Sequence, residues 1–409
     1  MISLVVLLLM MIIALLAPLL ANERPWYMQY HGMNYYPAFT WKKTYYIGNE
    51  GGAAEKIQLD ITDWKKLNTE KIIFAPIPYS PGKSDYANAG YICPGCEQHF
   101  TNAEGHKVAM PLRFRHWLGT GNRGDDLLAG LIHGSRVSLT IGFLSMGIAT
   151  LIGILLGAFA GFFGDHSLTA SRGKIGFTCL GIFFGWFYGF QLPATSFSEN
   201  ILLRLSVSTA IFLFIVFAFS LLGNLAGRIY GLHKKVKVPV DRLISRIIEI
   251  MVSLPLFMLM LAVAAVSKPS LTNMMVIIGL TNWTGIARLT RAEMLRIREQ
   301  EFIQSAKALG FSQTRIMLRH ALPNAIAPAL ISISFGIANA IIIESSLSFL
   351  GLGVPQTVTT WGSLLSAGHG NFSAWWLVVF PGLCIFITVT AYNLIGEGLR
   401  DALDPKMKS

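Results

Sequence analysis

Charge is what this chain of 409 residues has least of: Asp, Glu, Lys and Arg make up only 13% of it, against about 25% in an ordinary soluble domain. So few ions cannot solvate a surface of this size, which excludes a soluble globular protein. Cysteine is scarce too, with four in all, too few to staple a disulfide scaffold. No G-x-x-x-x-G-K-[ST] run cradles phosphates, and neither H-E-x-x-H nor G-x-S-x-G occurs, so nucleotide hydrolysis and the familiar hydrolase chemistries have no seat here. Internal repeats are not evident, and acids within the apolar runs are isolated, such as Glu249 and Glu344. An ion-coupled secondary transporter would show repeats and paired intramembrane acids. The net charge of +11 comes without any basic, aromatic soluble module, which argues against nucleic-acid binding.

What the chain has in abundance is apolar length. Hydrophobic residues are 53% of it, mean hydropathy is +0.52, and several runs reach the roughly 20 residues that cross a bilayer. The sequence places eight spans at 2–21, 137–163, 175–191, 202–223, 243–266, 273–291, 326–351 and 374–396. The first lacks a basic n-region and exceeds the usual h-region of a signal peptide, so it is expected to remain as a span. Lys and Arg gather in the loops 224–246 and 288–319 and in the tail (Arg400, Lys406, Lys408), whereas 192–201 and 352–373 contain none and 267–272 holds only Lys268. If all eight segments cross, every basic loop falls on the cytoplasmic side. Segments 175–191 and 202–223 add a pair of crossings, and an even number leaves the downstream orientation unchanged.

Between the first two spans, residues 22–136 form a long outer segment rich in Tyr, Pro and Gly. Its aromatic content is too high for disorder, and a small folded cap is expected. Within it, Cys93-Pro-Gly-Cys96 with His99 and His106 admits three readings: a local disulfide favoured by an oxidising compartment, a zinc site, or free thiols. Cys179 and Cys384 lie inside apolar runs and read as small apolar fillers.

The most informative stretch is polar, EQEFIQSAKALGFSQTRIMLRHALPN at 299–324. Phe302, Ile303, Ala306 and Leu309 recur at helical spacing. Gly310 breaks that helix and can take φ > 0, Ser312 can cap a second helix with Ile316 and Met317 on its apolar side, and Pro323 is expected to end it. Two short helices joined at a glycine make a knob suited to a groove on a partner. This stretch resembles the EAA loop of the membrane subunits of binding-protein-dependent ATP-binding-cassette (ABC) importers, most closely the peptide/nickel branch (oligopeptide, dipeptide and microcin C-like permeases), whose loop reads close to EAARALG…RH.LPN. The family's acidic position is Gln304 here and the following Ala is Ser305, so any salt bridge made from that acid is absent.

Five further runs carry the resemblance. ANERPWYMQYHGMNYYPAF at 21–39 is similar to the first outer loop of microcin C and oligopeptide permeases. HWLGTGNRGDDLLAGLIHGSRVSLTIG at 116–142 is similar to the family's LGTD..GRD signature: Gly119, Thr120, Gly124, Asp126, Gly134, Arg136 and Ser138 fit, while Gly121 and Asp125 depart from an Asp and an Arg. IIIESSLSFLGLGVP at 341–355 contains Glu344, an acid in a span, which usually faces a water path or a partner because it costs about 2.5–3.5 kcal/mol at the bilayer centre. YNLIGEGLRDALDPK at 392–406 resembles the family's ending, and VDRLISRIIEIMVSLPLF at 240–257 precedes an expected kink at Pro255.

The resemblance implies an all-α polytopic inner-membrane protein with a six-span permease core (137–163 and 243–396), two extra spans in 164–242, a cap at 22–136 and a cytoplasmic tail at 397–409. It also implies a basic cytoplasmic tail ahead of the first span. Here the apolar run begins at once, so either the true start lies upstream or that tail is missing. The implied function is a permease subunit for short peptides or similar solutes, with no catalysis of its own. The implied partners are a second related permease, two ATPases holding ATP and Mg, and an extracytoplasmic binding protein. The implied coupling residues are Gln304, Ser305, Ala306, Leu309, Gly310, Ile316, Arg319, His320 and Pro323. Glu344, near the outer end of its span, has two readings on the cost of its charge, a pathway or gate residue or an interfacial acid.

Overall fold

A computed structural model describes residues 1–30, 32–40, 44–47, 55–58, 62–65, 67, 69–101, 106–165, 167–191, 201–226 and 234–403. The basic loop residues 227–233, the loop 192–200 and the tail residues Asp404, Pro405, Lys406 and Lys408 lie outside them. The helical architecture stands as read from the sequence. In chain order the helices are α1 (Ile2–Leu20), α2 (Leu127–Phe163), α3 (Arg172–Trp186), α4 (Ile201–Ala226), α5 (Val240–Ser253), α6 (Leu256–Val266), α7 (Leu271–Ile297), α8 (Glu301–Ala308), α9 (Gln313–Ile316), α10 (Leu322–Ala325), α11 (Ala327–Phe349), α12 (Trp361–His369) and α13 (Trp376–Leu403). Strands β1 (Tyr27–Tyr30), β2 (Met33–Tyr35), β3 (Thr44–Ile47), β4 (Glu55–Gln58), β5 (Lys71–Ile73), β6 (His99–Thr101) and β7 (Lys107–Ala109) belong to the cap, and β8 (Thr169–Ser171) and β9 (Lys235–Lys237) to the insert. The chain divides into two units, one of Met1–Leu155, Met251–Thr290 and Pro323–Ser409, the other of Leu156–Ile250 and Arg291–Leu322.

In the first unit α1 packs on α13, and α11, α12 and α13 pack on one another. Small residues let α2 and α7 touch backbone to side chain: a Cβ on Gly279 would lie 2.9 Å from the Ser145 carbonyl oxygen, and one on Gly153 2.8 Å from that of Trp283. Such close approach is how helices associate where lipid removes the hydrophobic drive between them. The cap is β-structured. Strands β2, β1 and β5 form an antiparallel sheet in that order, β3–β4 and β6–β7 are hairpins, and Met28, Trp64 and Phe74 make a small core.

In the second unit β8 pairs antiparallel with β9, Thr169 opposite Lys237, so the insert leaves and rejoins the chain at one place. Between these strands α3 and α4 form an α-hairpin. Gly181 and Gly185 face Phe219 and Phe212, with Cβ positions 2.7 and 3.0 Å from those side chains, so aromatic knobs fill the gaps that glycine leaves.

Several sequence boundaries are revised. Among the described residues five helices (α1, α2, α4 from Val207, α11 and α13) are long and apolar enough to cross a bilayer, and α5 with α6 makes a sixth if that bent pair counts as one. Eight spans are not reproduced. Helix α3 has only 15 residues before a π-turn at Phe187–Gln191, and α7 mixes its apolar residues with Thr281, Asn282, Thr284 and Thr290. Two of these turn back on the helix, Thr281 Oγ1 to the Ile277 carbonyl at 2.8 Å and Asn282 Nδ2 to that of Ile278 at 2.8 Å. The expected span 243–266 is two helices bent by 81°, because Pro255 is the residue before α6 and cannot continue the α5 ladder. Helix α2 begins at Leu127, not at 137, because Asp126 accepts the Ala129 N–H at 2.7 Å and caps it. Its 37 residues run about 55 Å, well beyond a hydrocarbon core of about 30 Å. Helix α12 was not anticipated, and helix α13 carries the supposed tail to Leu403.

Candidate functional site

The hairpin 299–324 forms as two short legs. Helix α8 ends in a Schellman closure: the Gly310 N–H donates to the Lys307 carbonyl at 3.0 Å and the Phe311 N–H to that of Ala306 at 3.3 Å. Gly310 has φ of +76°, the conformation the turn requires. Ser312 caps α9 by accepting the Arg315 N–H at 3.4 Å. The Phe311 and His320 rings stack with centroids 6.1 Å apart and planes 2° from parallel, and the Arg315 guanidinium lies 4.6 Å from the Phe311 centroid. Cation and rings together stiffen the turn.

The expected apolar face divides. Ile303, Ala306, Ile316, Met317 and Ala321 are buried and hold the knob together, whereas Phe302, Leu309 and Leu318 are exposed, Leu309 at 73%. Of the nine coupling residues, Ala306 and Ile316 are buried, His320 is half-buried, and Gln304, Ser305, Leu309, Gly310, Arg319 and Pro323 are exposed. Gln304 donates to the Arg298 carbonyl at 3.2 Å where the family has an acid. Pro323 does not end the second leg. A π-turn at Met317–Ala321 leads straight into α10, and the Leu322 N–H reaches back to the Met317 carbonyl. The break comes at Ile326, ahead of Pro328 in the first turn of α11, where proline is tolerated.

The end of α7, from which the hairpin leaves, is tied to the ends of α2 and α5. Arg291 makes a two-pronged pair with Asp241, through Nε to Oδ1 and through Nη2 to Oδ2 at 2.8 Å. Arg298 donates to the Gly161 carbonyl at 3.2 Å. A Cβ on Gly161 would lie 2.5 Å from the Arg291 carbonyl oxygen, so α2 and α7 meet there in contact. Asp165 accepts the Arg242 N–H at 3.0 Å and fixes the start of α5.

Glu344 is fully buried. Its Oε1 accepts from Ser348 Oγ at 2.8 Å and its Oε2 from Ser138 Oγ at 3.1 Å and Ser345 Oγ at 3.4 Å. Ser138 in turn accepts the Trp361 N–H at 3.4 Å. The carboxyl group therefore sits where α2, α11 and the start of α12 meet, away from any exposed surface.

The 116–142 run builds a network that sequence reading missed. His116 is 0% exposed. Its Nδ1 lies 2.8 Å from Asp126 Oδ2 and its Nε2 3.2 Å from Asp85 Oδ2. Gln98 brackets the same residue, accepting its N–H at 2.8 Å and donating to its carbonyl at 3.0 Å. Burial opposes a charged imidazole, but the two carboxylates outweigh it and raise the His116 pKa. Burial likewise opposes the Asp85 charge, and the hydrogen bonds from His116 and Asn88 prevail, so its pKa falls. The turn does not need the Asp and Arg that are absent: the Gly121 N–H donates to the Asp125 carbonyl at 2.9 Å. Gly124, at φ +82°, passes so close to the Asp85 backbone that a Cβ would overlap it. His116 opens the quoted motif and was findable there, but nothing local links it to position 85.

Cys93 and Cys96 are joined in a disulfide with Cα atoms 5.3 Å apart. His99 and His106 are exposed, and among the described residues no three His, Cys, Asp or Glu side chains gather in a metal-binding cluster. The zinc reading of Cys93, Cys96, His99 and His106 is thereby replaced by the disulfide.

Several helices of membrane-crossing length and apolarity, with a hairpin closed at a left-handed glycine, define a polytopic membrane protein. Residues 220–409 match the family model described as "Binding-protein-dependent transport system inner membrane component". The chain is 32% identical to the dipeptide transport system permease protein DppC of Alkalihalophilus pseudofirmus, over 72% of this chain and 73% of the relative. It is 31% identical to the di/tripeptide transport system permease protein DppC of Pseudomonas aeruginosa, over 72% and 74%. To the probable D,D-dipeptide transport system permease protein DdpC of Escherichia coli K12 it is 28% identical, over 73% and 76%. The chain belongs to the family of binding-protein-dependent transport system inner membrane components. It is a multi-pass inner-membrane permease subunit of an ABC importer, which works with ATPase and substrate-binding partners.

Proposed function

We propose that this permease forms half of a translocation pathway for di- or oligopeptides, paired with a second related permease and two ATPase subunits that hold ATP and Mg. An extracytoplasmic binding protein delivers the substrate to the cap side. The hairpin 299–324 sits on the cytoplasmic side, among the basic loops, and inserts into a groove on an ATPase. Gln304, Ser305, Leu309, Gly310 and Arg319 supply the contact surface, Ala306 and Ile316 hold the two legs together, and His320 stiffens the turn. Closure of the ATPases moves the hairpin as a body, and the end of α7, tied to α2 and α5, passes that movement to the spans. The hairpin is thus the link between two distinct sites, which is what coupling requires. Glu344 acts as a clamp between α2, α11 and α12 and not as a wall of the pathway.

The observation that carries this reading is the division of the hairpin into a buried seam and an exposed rim that includes Leu309 at 73% exposure. An apolar side chain held out on a stiff polar turn fits a protein groove better than bulk water. Purification of the chain from native membranes in mild detergent, with mass spectrometry of what accompanies it, is the test. Recovery of a P-loop ATPase and a second permease in near-equal amounts supports the assembly. A stable complex lacking both would sink it.

A further inference from the structure

The cap contains a cavity of about 320 Å³, the size at which small-ligand sites begin. It belongs to neither the hairpin nor the spans. Among the described residues its wall holds one cation with no carboxylate within ion-pair distance. Lys65 Nζ stands 3.5 Å from the centroid of the Tyr79 ring, and that ring lies 4.1 Å from His116. Burial lowers the Lys65 pKa to about 8, against the raising fields of Asp85, Asp63, Asp126 and Glu23. Beside it Trp64, 3% exposed, lines the cavity, and its indole N–H has no acceptor among the described residues. Buried donors of this kind are costly unless something accepts from them.

The acids here are already engaged. Glu23 pairs with Lys83 at 2.8 Å, Asp85 is held by His116 and Asn88, and Asp63 accepts the Lys65 N–H at 3.2 Å. What the wall lacks is therefore an acceptor for Lys65 Nζ. A bare anion would meet the field of the carboxylates around Lys65. A ligand that brings its own ammonium adds no net charge and places that cation among those same carboxylates. We propose that this cavity binds a small zwitterion, an amino acid or short peptide with free termini, its carboxylate accepting from Lys65 Nζ and its ammonium lying in the field of the surrounding carboxylates.

The inference goes beyond the transport reading and does not depend on any ATPase, so the two can fail separately. The test is saturation-transfer NMR and calorimetry on the full chain in lipid nanodiscs, with L-alanyl-L-alanine as probe and its C-terminal amide and N-acetyl form as comparisons. The free dipeptide is expected to bind saturably. Amidation, and separately Lys65→Gln, should weaken binding at least about tenfold, the worth of a charge-assisted hydrogen bond, while Lys65→Arg should bind more tightly than Lys65→Gln. Acetylation should weaken binding by a similar factor. Absence of saturable binding by the free dipeptide, or equal binding of dipeptide and amide, overturns the proposal. The amide comparison uses the unaltered protein, so it holds even if Lys65→Gln fails to fold.

Discussion

Replacing Gly310 separates a backbone requirement from a docking requirement. At φ +76° any side chain incurs the left-handed penalty, about 1–2 kcal/mol for an ordinary L-residue and less for Asn, whose short side chain tolerates that region. Sterically the position is open: a Cβ there meets no heavy atom within 4 Å. Within this chain, then, Gly310→Ala, Gly310→Asn and Gly310→Asp differ only by strain of about 1 kcal/mol, and membrane yield and melting temperature should stay close to wild type. If strain were the whole story, Asn would transport best of the three. If Gly310 enters a groove on an ATPase, volume and charge decide instead, because an unpaired carboxylate forced into a protein contact costs several kcal/mol. The expected order is Gly above Ala, Ala above Asn, and Asp inactive. The assay is ATP-driven uptake of labelled dipeptide by proteoliposomes containing the chain and its partner subunits, alongside yield and melting of each variant. Wild-type uptake by Gly310→Asp, or losses that follow the order of strain, would refute the docking role.

Other perturbations follow from the same geometry. Glu344→Gln keeps one carbonyl oxygen to accept from Ser138 or Ser348 and an NH2 to donate to the other hydroxyl, so it should melt within about 1 kcal/mol of wild type in detergent, whereas Glu344→Ala strands buried hydroxyls at about 1–3 kcal/mol each; equal melting of the two variants would contradict the clamp. His116→Ala leaves Asp85 and Asp126 without their shared partner and should cost about 3–5 kcal/mol, measured by thermal melts of the purified chain. The raised His116 pKa gives a contribution present below the ordinary imidazole value and lost as pH rises through the raised one. The lowered Asp85 pKa gives a contribution present above the ordinary carboxylate value and lost as pH falls through the depressed one. Melts from acid to alkaline pH should therefore show two limbs, and His116→Gln should flatten the alkaline one. Gly161→Val drives a side chain onto the Arg291 carbonyl and Met294, an overpacking cost of about 1–3 kcal/mol, and should lower uptake more than it lowers yield, read from the same proteoliposomes.

The hairpin was legible because its signals are local. Glycine at the turn, Ser312 at the cap and apolar residues at helical spacing each act within a few positions, and the structure has all three where the pattern puts them. Its seam was only half legible: Phe302 and Leu309 share a helical face with Ile303 and Ala306 on paper, yet they point out, because burial depends on what lies opposite. The span boundaries failed for a related reason. Apolar composition hides the 81° bend at Pro255 and the ten residues by which Asp126 extends α2 ahead of its apolar core.

By itself the sequence determined the membrane class, through composition, and the glycine-closed hairpin, through short-range pattern, while resemblance of its motifs carried the transport family. Tertiary structure decided what long-range contacts alone can decide. It brought Asp85 across 31 positions to His116. It also sealed Glu344 among serines from two helices and set Lys65 over the Tyr79 ring in one cavity wall. Burial and pairing are properties of neighbours in space, and spacing along the chain does not encode which neighbours those will be.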